Sequence, residues 1–96
     1  MAPELHSDTD WLAPFLGQVV VVDLAEFFVI IGTLAHLTGD GVVFADADLH
    51  DHRESSSTKE VYVAESAKYG VRANRRAVAV PRRQVVAISL LTDLLG

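Results

Sequence analysis

Cysteine is absent from this 96-residue chain, and long uncharged runs are absent too. Without cysteine the chain has no disulfide framework, thiolate zinc site or cysteine nucleophile. Its longest stretch free of Asp, Glu, Lys and Arg covers only residues 27–39, which is too short to span a bilayer. Glu4, Asp8 and Asp10 precede the first apolar run, which is the reverse of a secretory signal. These features predict a cytoplasmic protein that makes no membrane contact.

Signatures of catalysis and of metal binding are also missing. The sequence contains no nucleophile elbow, phosphate-cradling glycine loop or metalloprotease histidine pair. Asp46 and Asp48 resemble a carboxylate pair, but a solvated strand face explains them equally well. His50 and His52 would project from the same side of a strand as a two-histidine site, although strand ends often carry such residues in contact with solvent. We therefore predict no enzyme activity, no metal site and no cofactor.

The chain contains enough hydrophobic residues to form one core. Half of its residues are hydrophobic, which predicts a single domain over residues 1–96 with its core at about 11–91. The net charge of −5 conceals a segregation of charge. Residues 1–67 hold twelve acidic and two basic side chains, whereas residues 68–96 hold six basic and one acidic. Segregation of this kind builds a face for anions or a charged contact between subunits, and solvated loops would also explain it.

The pattern over residues 7–16 predicts a short N-terminal helix. Ser7 and Asp10 are spaced as in a capping box, and acidic residues in the first turn favour a helix. Pro14 conflicts with a helix that begins at Ser7, because a proline inside a helix loses a hydrogen bond. A helix that starts at Asp10 would place Pro14 near its first turn and remove the conflict.

Three strands are predicted next, over residues 19–22, 27–37 and about 42–50. The first is a run of four valines, as in a strand packed on both sides. The second contains Gly32, which weakens a strand unless the sheet bends sharply there. The turn before the third is the sequence TGDG at 38–41. Alternation assigns the third strand's side chains to two faces, with Val43, Ala45, Ala47 and Leu49 on one and Phe44, Asp46, Asp48 and His50 on the other.

A second helix is predicted over residues 58–69, between the third and fourth strands. Thr58 caps its start, Glu60 lies in its first turn, and Gly70 ends it. A strand is the alternative, because residues 61–63 (VYV) favour β structure. Two short strands come after it at residues 76–80 and 84–91, joined by the segment Pro81–Arg83. The predicted order is helix, three strands, inserted helix and two strands, which favours a small antiparallel barrel.

This order resembles the Sm and Sm-like (LSm) family. The segment LGQVVVVDL at 16–24 resembles the family's helix-to-strand passage, and GTL at 32–34 followed by VFAD at 43–46 resembles its first motif. The segment VPRRQVVAI at 80–88 resembles its second motif. An insertion at about 51–74 lies where family members vary. The resemblance implies a mainly β fold: a strongly bent, five-stranded antiparallel barrel with an N-terminal helix and an inserted helix.

The resemblance also implies that the chain forms a ring with copies of itself. In this family the fourth strand of one subunit joins the fifth strand of the next, which implies a homo-oligomer of about five to seven subunits. The corresponding strands here are short and apolar, and their edges would otherwise be open to aggregation. The residues expected at this interface are Val78, Val80, Val85, Val86 and Ile88.

A pocket for single-stranded, uridine-rich RNA is a further implication of the resemblance. The positions expected to form it are Thr38, Asp40, Val42, Arg82 and Arg83. The residues at these positions differ from the family's usual ones. Thr38 and Val42 stand where Asp and Asn are usual, and Pro81-Arg82 replaces the usual Arg-Gly pair. No aromatic residue lies in the first turn to stack on a base. Arginine suits phosphate contact, but Arg82 and Arg83 could instead pair with Asp40, Asp46 or Asp48.

The sequence therefore supports two functions. The first is an Sm-like ring that binds RNA through its pore-side loops, with no DNA expected. The second is a ring-shaped scaffold or assembly module that binds protein and no RNA. Tyr62 and Tyr69 in the insertion, and the leucine-rich tail over 90–95, offer apolar surface for the second. An unrelated small barrel that binds a small molecule is a third interpretation.

Overall fold

The structure is a computed structural model that describes residues 10–53 and 58–95. Over these residues the chain forms a mainly β domain: a five-stranded antiparallel sheet with one α-helix. The strands are β1 (Val19–Leu24), β2 (Phe28–Leu37), β3 (Gly41–Asp51), β4 (Arg75–Pro81) and β5 (Val85–Leu90), and the helix is α1 (Lys59–Tyr69). Three short 3-10 turns complete the elements, at Ala13–Phe15, Arg82–Gln84 and Leu91–Asp93.

The strands lie in the order β4-β3-β2-β1-β5. β4 pairs with β3, and β5 pairs with β1, so that within the described part of the chain each of these two strands has one neighbour. The sheet is therefore not closed into a barrel by backbone hydrogen bonds between β4 and β5, and the closed barrel expected from the sequence is not what one chain forms. Two strand edges remain open.

The sheet bends where β3 bulges against Gly32. Ile31 pairs with Asp48 and Thr33 pairs with Ala45, so two residues of β3 lie opposite the single residue Gly32. A β-carbon at Gly32 would lie 2.7 Å from the Ala47 β-carbon and 2.8 Å from its α-carbon, closer than atoms approach in practice. Glycine is needed here because the bulge brings the neighbouring backbone too close for any side chain.

The same bulge reverses the alternation of β3. At the bulge, Asp46 takes a left-handed backbone conformation with φ of 48°. Before it, Phe44 faces the larger apolar core; after it, Ala47 faces the same core while Asp48 lies beside α1. The strict alternation expected over residues 43–50 is therefore wrong beyond Asp46, because an extra residue in one strand moves every later side chain to the other face.

Two apolar cores lie on opposite faces of the sheet. The larger contains Val20, Val22, Ile30, Leu34 and Phe44, and Leu12 closes one end of it. The smaller lies beneath α1 and consists of Val21, Val29, Ile31, Val63 and Leu91. Consecutive valines of β1 are thus buried on both faces, as the sequence predicted.

The inserted helix begins and ends where its capping residues predict. The Thr58 hydroxyl accepts a hydrogen bond from the Val61 amide at 3.2 Å, and Gly70 ends the helix with φ of 92°. Glu60 lies in the first turn, where the helix dipole favours an acid. The helical interpretation of residues 58–69 is confirmed.

A polar contact fastens α1 to β3. The Tyr62 hydroxyl donates a short hydrogen bond to Oδ2 of Asp48, and the Tyr62 ring stacks on His50 with their centroids 4.1 Å apart. Burial and this hydrogen bond raise the pKa of Tyr62 well above its ordinary value. At the start of the helix, Lys59 forms an ion pair with Asp23 of β1.

Removal of the Tyr62 hydroxyl should weaken this attachment. We expect Tyr62→Phe to lower the free energy of unfolding by about 1–2 kcal/mol, because Asp48 loses its donor while the ring still packs. Urea denaturation followed by circular dichroism measures the change. Tyr69→Phe is the control, since Tyr69 is 72% exposed and its hydroxyl has no hydrogen-bond partner in the described structure. An equal loss in both variants would contradict the role given to Tyr62.

The N-terminal helix is shorter than predicted. Residues 7–9 lie outside the described residues, and the part of the predicted helix that the structure describes forms the single 3-10 turn Ala13–Phe15. The Asp10 side chain accepts a hydrogen bond from the Leu12 amide at 3.1 Å. Pro14 lies in the first turn, where its missing amide hydrogen costs nothing.

None of the helices in the described parts of the chain has the length and apolar character needed to cross a membrane.

Candidate functional site

The two segments predicted to form a pocket lie side by side. The Arg82 amide donates to the Asp40 carbonyl at 2.9 Å, and Nε of Arg82 donates to the Thr38 carbonyl at 2.7 Å. The β2–β3 turn is itself closed by the Thr38 amide, which donates to the Gly41 carbonyl at 3.0 Å. The structure therefore brings Thr38, Asp40 and Arg82 together at one end of the sheet.

Arg82 is held within the chain. Its guanidinium forms a two-point contact with the Asp10 carboxylate, in which Nη1 lies 3.0 Å from Oδ1 and Nη2 donates to Oδ2. The Asp10 side chain is 7% exposed and that of Arg82 is 21% exposed. This pairing raises the pKa of Arg82 above its ordinary value. Three of the five N–H donors of Arg82 are already used within the chain and its charge is paired with Asp10, so Arg82 is less suited than an unpaired arginine to bind a phosphate.

The acid that holds Arg82 is one that the sequence did not indicate. The sequence offered Asp40, Asp46 and Asp48 as partners, whereas the observed partner lies 72 positions away along the chain. Asp10 also caps the turn before the sheet, so a single carboxylate fastens the N-terminal turn to the β4–β5 connection. Sequence patterns relate residues that are a few positions apart, so they could not predict the contact between Asp10 and Arg82.

Alanine substitutions should show that Arg82 stabilises the fold and that Arg83 does not. We expect Arg82→Ala to lower the free energy of unfolding by about 2–3 kcal/mol, because it removes the two-point guanidinium contact from the buried Asp10 carboxylate. Arg83→Ala should change it by less than about 0.5 kcal/mol. Urea denaturation of both variants at equal chain concentration measures the difference. Equal stabilities would contradict a structural role for Arg82.

Arg83 is differently placed. It is exposed and lines a shallow depression of about 350 Å³ with Asp40, Gly41, Ala79 and Pro81. Within the described residues its guanidinium makes no hydrogen bond and no ion pair. Of the two arginines expected at an RNA site, Arg83 is therefore the one that is available to a ligand.

The remaining predicted pocket residues have structural positions. The Val42 side chain is 1% exposed and belongs to the larger core, so it has no surface to offer a base. The Thr38 hydroxyl lies 3.2 Å from Oδ1 of Asp40 and 3.3 Å from the Gly41 carbonyl, within the turn itself. The base-reading set expected from the family is thus reduced to Asp40 and Arg83 at the surface.

The predicted interface residues lie on the two edge strands, but most of them face inward. Val80 is buried in the larger core, and Val78, Val85 and Ile88 are partly buried against it. Val86 is 67% exposed, because a bulge in β5 leaves it without a partner opposite Asp23 and Leu24. Contact with another chain at these edges would therefore use backbone groups and the exposed side chains, such as Ala79 and Val86, more than the buried valines.

The run His50-Asp51-His52 is divided among three separate contacts. His50 stacks on Tyr62, and His52 meets the edge of the Phe27 ring at a centroid distance of 5.9 Å. Asp51 pairs with Arg53 at 2.7 Å, and this hydrogen-bonded cation lowers the pKa of Asp51 to about 2. Among residues 10–53 and 58–95, no three His, Asp or Glu side chains are grouped so that they could hold a metal ion.

Comparison with known proteins shows a likeness in fold. No protein-family model matches the chain, and no curated protein matches it in sequence. Among solved structures, a chain in the crystal structure of the NatC complex bound to CoA is similar, with a TM-score of 0.55, 22% identity and 88% of each chain covered. A chain in the crystal structure of the NatC complex bound to Gag peptide and CoA is similar with a TM-score of 0.54, 22% identity, and 82% of this chain and 89% of that chain covered. At this identity the likeness concerns the fold alone.

Proposed function

We propose that the chain is a subunit of an Sm-like, ring-shaped homo-oligomer that serves as a scaffold or assembly module. The observation that carries the proposal is the pair of open edges on β4 and β5 at the two ends of one bent sheet. Unpaired strand edges invite another strand. β5 carries no charged residue along Val85–Leu90 to prevent it, and the charges of β4 are confined to its first two residues, Arg75 and Arg76. A five-stranded antiparallel sheet with a bend at Gly32 supports the proposal, because the Sm resemblance implies a strongly bent sheet of five strands.

A closed ring is the assembly that these edges favour. The two edges differ in sequence, so pairing of β4 with β5 of the next copy is head-to-tail. Head-to-tail contacts make rings when the rotation between copies closes and filaments when it does not. A bent sheet supplies a rotation at each step, which supports closure, and the Sm resemblance implies about five to seven copies.

The two similar solved chains share this chain's fold. Both are parts of a complex, and each matches this chain over most of its own length. A small sheet with two open edges is suited to such a position, because its edges gain backbone hydrogen bonds only from another chain.

RNA binding is the second candidate, and Arg83 is the observation that favours it. One free arginine per subunit, repeated around a ring, would concentrate positive potential beside the β2–β3 turn. Against this, Arg82 is engaged by Asp10, Val42 is buried, and the chain as a whole carries a net charge of −5. The scaffold is therefore the better supported of the two.

Nucleic acid content distinguishes the candidates. We expect the purified protein to show the 260/280 nm absorbance ratio of protein alone, and added oligouridine to leave its elution unchanged. If RNA is the ligand, nucleic acid should copurify and should be lost in a high-salt wash, since phosphate contacts weaken steeply with salt. Loss of that binding in Arg83→Ala would then establish the RNA function in place of the scaffold.

A further inference from the structure

A cleft lies between α1 and β3, and it takes no part in the proposed ring contact between β4 and β5. It has a volume of about 200 Å³, which is the size of a side chain. None of the residues that line it belongs to β4 or β5. It lies at the side of the sheet covered by the insertion, where Tyr62 packs beside the smaller core.

One face of the helix supplies most of the cleft wall. Tyr62, Glu65 and Tyr69 stand three, four and seven positions apart, so their side chains share a face of α1. Asp48 of β3 and Arg72 also line the cleft. The cleft thus combines two aromatic rings and two carboxylates with one cation.

Tyr62 and Asp48, which line the cleft, are held in place before any ligand binds. The His50 ring covers one face of Tyr62, and the Tyr62 hydroxyl engages Oδ2 of Asp48. Oδ1 of Asp48 has no hydrogen-bond donor among the described residues, and neither does the exposed Glu65 carboxylate. Two carboxylates with free acceptor oxygens beside aromatic rings favour a cationic ligand, and because Asp48 is already held by Tyr62, less entropy is lost at that contact when the ligand binds.

We propose that this cleft binds an organic cation with a guanidinium or ammonium group on a short chain. The cation would donate hydrogen bonds to Asp48 and Glu65 and would lie against the tyrosine rings. Guanidinium suits the site best, because it is planar, stacks on aromatic faces and donates to two carboxylates at once. Guanidinium occurs both on small free metabolites and on the arginine side chains of peptides.

Titration with matched probes tests the proposal and separates the two sources. The probes are agmatine, the blocked peptide acetyl-Gly-Arg-Gly-amide and its citrulline counterpart, which keeps the shape but lacks the charge. We expect NMR signals of the cleft to shift with the two cationic probes, at a Kd of about 1 mM, and not with the citrulline peptide. Tighter binding of the arginine peptide than of agmatine would identify a peptide side chain as the natural form, and the reverse order would identify a free cation.

Substitutions of cleft residues test whether the cation binds in this cleft. Glu65→Gln should weaken binding of the arginine peptide about three- to fivefold, as expected for loss of an exposed charge contact. Tyr69→Ala should weaken it about threefold. Glu60→Gln, also an exposed acid on α1 but outside the cleft, is the matched control and should leave the Kd unchanged. Equal binding of the citrulline peptide, equal loss in the control, or no shift at about 10 mM probe would overturn the proposal.

Discussion

A chain with Ala79→Lys and Val86→Lys is expected to have the mass of a monomer, close to the 10.4 kDa of the parent chain, under conditions in which we expect the parent protein to form a ring. Ala79 lies on β4 and Val86 on β5, and both side chains are exposed. Lysine on an edge strand opposes pairing with another strand, because its charged ammonium must lose water when a second strand docks. Light scattering coupled to size exclusion at micromolar concentration measures the mass.

The control for this result is Val61→Lys. Val61 is an exposed apolar residue on α1, which is not an edge strand, so the substitution adds one lysine without altering β4 or β5. We expect its mass to equal that of the parent. If the edge variant keeps the parent's mass, or if Val61→Lys also dissociates it, the assembly does not use β4 and β5.

Gly32→Ala is expected to destabilise the fold by about 3 kcal/mol, the upper end of the range for overpacking. The new β-carbon would meet the Ala47 α-carbon at 2.8 Å, and a backbone atom cannot move aside as a side chain does. Relief of the contact requires the bulge in β3 to shift, which would flatten the sheet and alter the angle between its two edges. Urea denaturation at fixed chain concentration gives the free energy, and light scattering shows whether assembly is lost with it.

Gly39→Ala is the matched control. An added β-carbon at Gly39 meets no heavy atom within 4 Å, so we expect a change below about 0.5 kcal/mol. Ala47→Gly should recover only part of the stability lost in Gly32→Ala, because the Ala47 α-carbon remains close. Equal stability of the two glycine variants would show that the sheet does not depend on the bend at Gly32.

Local chemistry made much of the fold predictable. Thr58 and Gly70 bound α1 because caps act within one turn of a helix. Three of the four β1 valines (Val20, Val21 and Val22) are buried on both faces of the sheet, as a run of β-branched residues indicates, whereas Val19 is exposed. Gly32 marked the bend because a glycine in an apolar strand needs a structural reason.

The features that the sequence did not reveal depend on contacts between distant residues. The bulge at Asp46 arises from its pairing with β2, so it could not be seen in the alternation of β3 alone. The Asp10–Arg82 pair joins opposite ends of the chain, and it changes Arg82 from a candidate RNA contact into a structural residue. The cleft likewise exists only because α1 packs over Asp48 and His50.

Crosslinking of two single-cysteine variants tests the central claim most directly. The chain has no cysteine of its own, so Ala79→Cys on β4 and Ala87→Cys on β5, both exposed positions, can be labelled without background. A short bismaleimide crosslinker tolerates an offset in strand register. We predict covalent dimers when the two variants are mixed, allowed to exchange subunits and treated, and none when either is treated alone. Dimers that form equally within one variant, or no dimers in the mixture, would contradict head-to-tail pairing of β4 with β5.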